Sequence, residues 1–129
     1  MEQVGAAALY TTPVSYLEAV NVEYKKRRDT IVEALAKVPG VKASDPKGAF
    51  YIMVNMPVDD AEKFAIWILE NFDINGETVM FAPGNGFYNT PGSGVNEARL
   101  AYVLNSEDLK QAIYILGEAL KAYPGRVDK

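Results

Sequence analysis

From Val14 to Lys37 the apolar positions follow a helical period. Leu17, Tyr24, Ile31 and Leu35 recur at seven- and four-residue spacings, near one face. Thr12-Pro13 reads as the start of this helix, with threonine capping the free amides and proline at the first helical position. Pro39-Gly40 ends it. Val41–Ala43 forms a short strand and Asp45-Pro46-Lys47-Gly48 is turn chemistry. The pattern then changes to a compact run, Ala49-Phe50-Tyr51-Ile52-Met53-Val54-Asn55, rich in aromatic and branched residues. This run is a strand, and its near-continuous apolarity predicts cover on both faces.

Asp59 or Asp60 starts a second helix, with Ala61, Phe64 and Ile68 on one side and Trp67 close by. Thr78–Ala82 reads as a strand, and so does Glu97–Leu104. Between them, Pro83 to Asn96 is rich in Gly, Pro and Asn. An irregular stretch of that length is uncommon in a compact domain and is often functional. Ser106 caps a last helix carrying Leu109, Ile113, Leu116 and Leu120, with Glu107 and Asp108 at its positive end, and Tyr123-Pro124-Gly125 stops it. Val4 to Tyr10 is apolar but too short and weakly patterned to define a helix. The resulting order is α-β-β-α-β-β-α. It describes an α+β domain in which helices flank a small, partly antiparallel sheet.

Composition narrows the chemistry. The chain has 129 residues and no cysteine, so disulfides and thiolate chemistry are excluded. It also has no histidine, which removes Ser–His and Cys–His catalysis and the usual zinc sites. The net charge of −4 argues against nucleic acid or an anionic membrane surface as partner. No run approaches the roughly 20 apolar residues that span a bilayer, and no basic flank precedes the first apolar run, so a cytoplasmic protein is expected. The basic run Lys25-Lys26-Arg27-Arg28 lies among Glu23, Asp29 and Glu33 and reads as a solvated, salt-laced face. The acidic stretch between Pro57 and Glu77 lacks calcium-loop spacing, so no metal site is expected there.

One residue breaks the pattern. Arg99 sits inside the apolar strand Ala98-Arg99-Leu100-Ala101-Tyr102-Val103-Leu104, sharing a face with Ala101 and Val103 by alternation. A cation there must reach water or find a partner. Its planar fork of donors suits a carboxylate. The residues alone leave two readings, with pattern favouring the first: an arginine that pairs with an internal acid or snorkels, or a binding group. Gly84-Asn85-Gly86 lacks the third glycine of a dinucleotide fingerprint and the lysine of a phosphate loop, so it reads as a structural loop. No catalytic set is recognisable.

Three stretches in order carry a resemblance. Lys47-Gly48-Ala49-Phe50-Tyr51 is followed by Val79-Met80-Phe81-Ala82-Pro83-Gly84-Asn85-Gly86-Phe87. Glu97-Ala98-Arg99-Leu100-Ala101-Tyr102 then leads to Asn105-Ser106-Glu107-Asp108-Leu109 and a helix. Together with Tyr24-Lys25-Lys26-Arg27-Arg28-Asp29, this resembles the C-terminal, small-domain region of class I/II pyridoxal-phosphate aminotransferases, the aspartate aminotransferase-like enzymes of fold type I. The resemblance implies that residues 13–129 are that small domain and residues 1–12 a remnant of the interdomain or large-domain segment. It implies that Arg99 binds the α-carboxylate of an amino-acid or 2-oxo-acid substrate, with Phe50 near that end, while pyridoxal phosphate serves the full-length enzyme as electron sink. The Schiff-base lysine and the other cofactor contacts would lie in a large domain missing here. The chain would then be a fragment of a homodimeric enzyme, without catalytic or cofactor-binding residues of its own and inactive alone. Two alternatives remain: a stand-alone regulatory module that binds a small carboxylate, and a structural or dimerisation domain.

Overall fold

The structure is a computed structural model and describes residues 1–127. The helices are α1 (Glu2–Ala7), α2 (Val14–Leu35), α3 (Ala61–Asn71) and α4 (Ser106–Ala122). The strands are β1 (Lys42–Ala43), β2 (Tyr51–Asn55), β3 (Ala82–Pro83) and β4 (Glu97–Ala101). Short 3-10 turns at Ala8–Thr11 and Asn85–Phe87 follow α1 and β3. From α2 onward the order is the expected α-β-β-α-β-β-α. The four strands form one sheet in the order β1-β2-β4-β3, and all three pairings are antiparallel.

The two long strands set the layering. In β2, Ile52 and Val54 are buried while Tyr51, Met53 and Asn55 are not. In β4, Ala98 and Leu100 are buried while Arg99 and Ala101 are exposed. Residues opposite one another share a face, and Ile52 pairs with Leu100 and Met53 with Arg99. One sheet face therefore packs into a core with Ile31 and Leu35 of α2, Phe64 and Ile68 of α3, and Leu109, Leu116 and Leu120 of α4. The other face is open. The expectation that β2 is covered on both sides fails here, because its apolar residues divide between core and open face by period two.

Side-chain caps start two of the four described α-helices. Asp60 caps α3, its carboxylate accepting from the amides of Glu62 and Lys63. At α4 the cap is Asn105, which accepts from Glu107 and Asp108, and Ser106 is the first helical residue. At α2 the cap position is Pro13, and no side chain caps the helix; Thr12 instead ends the preceding 3-10 turn. α2 stops at Leu35, before Pro39-Gly40. Gly40 has φ +83°, and a Cβ there would lie 2.9 Å from Pro57 Cγ. That position needs glycine for both reasons. Two strands are shorter than their apolar runs: Thr78–Phe81 lies outside β3, and β4 releases the chain after Ala101.

The face of α2 also differs from its pattern. Ile31 and Leu35 are buried and Tyr24 packs against the core, but Leu17 is 51% exposed. The first turns of α2 run past the domain, and nothing in α1 or the following turn is buried. The basic run behaves as a salt-laced face. Arg27 Nε bonds Glu23 at 2.7 Å, Arg27 Nη1 donates to the Val103 carbonyl, and Arg28 pairs with Asp29.

Candidate functional site: the open sheet face around Arg99

Arg99 stands at the middle of β4, between Met53 of β2 and Ala82 of β3. Its side chain lies on the open face and is exposed. Among the described residues no carboxylate pairs with it. Its guanidinium carbon lies 4.4 Å from the centre of the Phe87 ring and 5.3 Å from that of Tyr51. Tyr51 reaches it as a diagonal neighbour, because it pairs with Ala101, two residues along β4. Phe87 arrives from the 3-10 turn after β3.

The loop between β3 and β4 is built to hold that turn. The Gly84 amide donates to the Glu97 carbonyl at 2.7 Å and the Phe87 amide to Gly84 at 3.0 Å. The Tyr88 hydroxyl donates to Glu97 Oε2 at 2.5 Å, which raises the Tyr88 pKa above its ordinary value. Gly94, at φ +71°, lies under the Tyr88 ring, where a Cβ would come within 2.5 Å of the ring carbons. Gly84 and Gly94 serve close approach, since a Cβ at Gly84 would lie 2.7 Å from Glu97 Cβ, whereas Gly86 has open space around it.

Phe50 immediately precedes β2, next to Tyr51. It is 53% exposed and meets Tyr51 edge-on, with ring centres 5.7 Å apart. Its backbone is fixed from the core side. The Tyr102 amide donates to the Phe50 carbonyl at 2.8 Å, and the buried Tyr102 hydroxyl is 3.1 Å from the carbonyl oxygens of both Gly48 and Ala49. Burial raises the Tyr102 pKa, keeping it a donor. Tyr51 stands between Phe50 and Arg99: its ring meets Phe50 edge-on, and its centre lies 5.3 Å from the Arg99 guanidinium carbon. Sequence reasoning does not single out Tyr51 or Phe87 as neighbours of Arg99. Period-two alternation marks Tyr51 as facing the same way as Met53, but the register that sets it beside Arg99 is not a local property.

The face offers a carboxylate two parallel donors in an apolar setting. It does not fit the cofactor. A phosphate or a Schiff base needs several convergent donors or a sheltered lysine, and among the described residues the central cation is Arg99 alone. Lys42 shares the face through Asn55 and Glu97 but stands on the edge strand, and Lys47 is held by Asp45 at 2.5 Å. Among the described residues no three His, Cys, Asp or Glu side chains form a metal cluster. No described helix is long and apolar enough to cross a membrane.

No family model matches the chain. It is 33% identical over 107 residues to an aspartate aminotransferase of Pyrococcus horikoshii, covering 81% of this chain and 25% of that protein. It is 34% identical over 122 residues to a probable aspartate/prephenate aminotransferase of Aquifex aeolicus, covering 92% of this chain and 29% of that one. Its fold matches the α-aminoadipate aminotransferase LysN of Thermus thermophilus, solved with N-(5'-phosphopyridoxyl)-L-leucine. The TM-score is 0.71 at 30% identity, over 84% of this chain and 27% of that chain. An α+β unit of this fold thus recurs inside larger enzymes of a single class. The chain belongs to the pyridoxal-phosphate-dependent aminotransferases of class I/II, fold type I. Within them it is aspartate aminotransferase-like and is similar to the C-terminal, small-domain region. It spans between a quarter and three tenths of the length of these three relatives.

Proposed function

We propose that this chain supplies the substrate-carboxylate side of an aminotransferase site that moves an amino group between an amino acid and a 2-oxo acid. One observation carries the reading. Arg99 is exposed at the centre of an open sheet face and, among the described residues, has no acidic partner. Two N–H donors of the guanidinium can meet both oxygens of a carboxylate, which fixes the substrate's orientation as well as its charge. The role is positioning: it holds the substrate's α-carbon toward the reacting centre. Phe50 walls the same end. The pyridoxal phosphate and the lysine that would carry it belong to a large domain of the same enzyme, which closes over this face in a homodimer. Residues 13–129 then act as the small domain, of which the last two lie outside the described residues.

The test is Arg99→Lys in the complete enzyme, read in the half-reaction with an amino acid it accepts. A single ammonium cannot reproduce the fork. The expected result is a fall of about tenfold or more in kcat/KM, carried mainly by weaker amino-acid binding. Unchanged half-reaction kinetics would overturn the assignment.

A further inference from the structure

We infer that Tyr51 and Phe87 are positioning residues that aim the Arg99 guanidinium, so that the loop from Pro83 to Asn96 acts on substrate affinity through an aromatic contact. The inference rests on the proposed carboxylate role of Arg99 and adds to it the residues that orient the group.

Three observations converge. First, an exposed arginine side chain has several rotatable bonds and considerable rotamer entropy to lose on binding. Arg99 has no carboxylate among the described residues to order it. Second, what it does touch are two rings, at 4.4 Å and 5.3 Å, within the range of cation–π attraction. This attraction leaves the N–H edge of the guanidinium unspent, whereas an internal acid would occupy the same fork that a substrate needs. Third, the rings are themselves held. Tyr51 is a strand residue with Phe50 edge-on against it. Phe87 sits in a turn pinned by the Gly84–Glu97 backbone bond, the Tyr88–Glu97 hydrogen bond and the close fit of Gly94 beneath Tyr88. Both rings remain partly exposed, Phe87 at 50% and Tyr51 at 41%, so neither is a core side chain. Pre-ordering of this kind lowers the entropy lost when a carboxylate docks.

The experiment compares Phe87→Leu and Tyr51→Leu with the ring-retaining Phe87→Tyr and Tyr51→Phe, and with Arg99→Lys, in the complete enzyme. In the 129-residue chain, proton NMR of the Arg99 side chain, assigned against Arg99→Lys, reads the ring contact directly. Upfield-shifted Arg99 side-chain resonances are expected, moving back toward ordinary arginine values in Phe87→Leu and unmoved in Phe87→Tyr. In the enzyme, each leucine variant should raise the KM for the amino acid by about three- to tenfold with kcat within about twofold, and each ring-retaining variant should restore it. If Arg99→Lys impairs the reaction but the leucine variants keep the parent KM, the aiming role is overturned while the carboxylate role stands. If Arg99→Lys changes nothing, the carboxylate role fails first. A leucine variant that loses kcat and thermal stability together, without rescue by its ring-retaining partner, is a structural defect and also overturns the inference.

Discussion

Among single residues, Tyr123 has a consequence that can be measured without activity. It caps the end of α4, is buried against Phe64 with ring centres 4.9 Å apart, and donates its hydroxyl to Asp59 Oδ1 at 3.0 Å. Burial first, then the hydrogen bond and charge of Asp59, pushes its pKa up to about 12. In the unfolded chain a tyrosine titrates near 10. The native state therefore holds this proton more tightly. The stabilisation is fully present below about pH 10 and is lost as pH rises through about 12. Urea unfolding between pH 8 and 12 should show stability falling above pH 10, with a shallower fall in Tyr123→Phe. At neutral pH that variant should cost about 0.5–1.5 kcal/mol, because Asp59 keeps the Asp60 amide as a donor. Arg99 is legible at this level as a cation in an apolar run. Its ring neighbours are not, since they lie far from it along the chain.

Among the elements, most of the sequence reading depends on caps and periods, and these are short-range. The Asp60 cap and the core face Ala61, Phe64 and Ile68 of α3 follow from residues three and four apart. The start of α4 shows the limit. Asn105 and Ser106 are both good capping residues, and the choice depends on where the backbone leaves β4. Asn105 is the residue with extended geometry, φ −65° and ψ 166°, and its side chain takes both amides. Asn105→Ala should destabilise the domain by about 1 kcal/mol, and Ser106→Ala by less than about 0.5 kcal/mol. Equal losses in thermal or urea melts would move the cap back to serine. β3 and β4 fall short of their apolar runs for a related reason. Apolar residues continue past the last ladder bond, but strand length depends on a partner, and β3 meets β4 over only Ala82 and Pro83.

For the molecule as a unit, the burial is one-sided. A single core joins α2, α3 and α4 to one face of the sheet, and residues 1–11 bury nothing. Removing residues 1–12 should therefore change the unfolding free energy by less than about 0.5 kcal/mol, whereas Leu35→Ala, inside the core, should cost about 2–5 kcal/mol. A large loss on truncation would show that the segment is part of the folded unit. The exposed apolar side chains at Val4, Leu9, Tyr10, Val14 and Leu17, and the open sheet face, fit a chain that matches only a quarter to three tenths of its relatives' length.

Local sequence accounts for the element types and most of their order, the Asp60 cap of α3, the acidic first turn of α4, and the anomaly of an arginine among apolar neighbours. These follow from contacts within a few residues, where propensity and periodicity act. Long-range packing was needed to leave one side of β2 uncovered, to give the α4 cap to Asn105, and to set Arg99 on the open face against Tyr51 and Phe87. The neighbours of Arg99 depend on the pairing of Met53 with Arg99 and Tyr51 with Ala101. Register between distant segments is set by the packing of the whole core, which no local stretch of the chain contains.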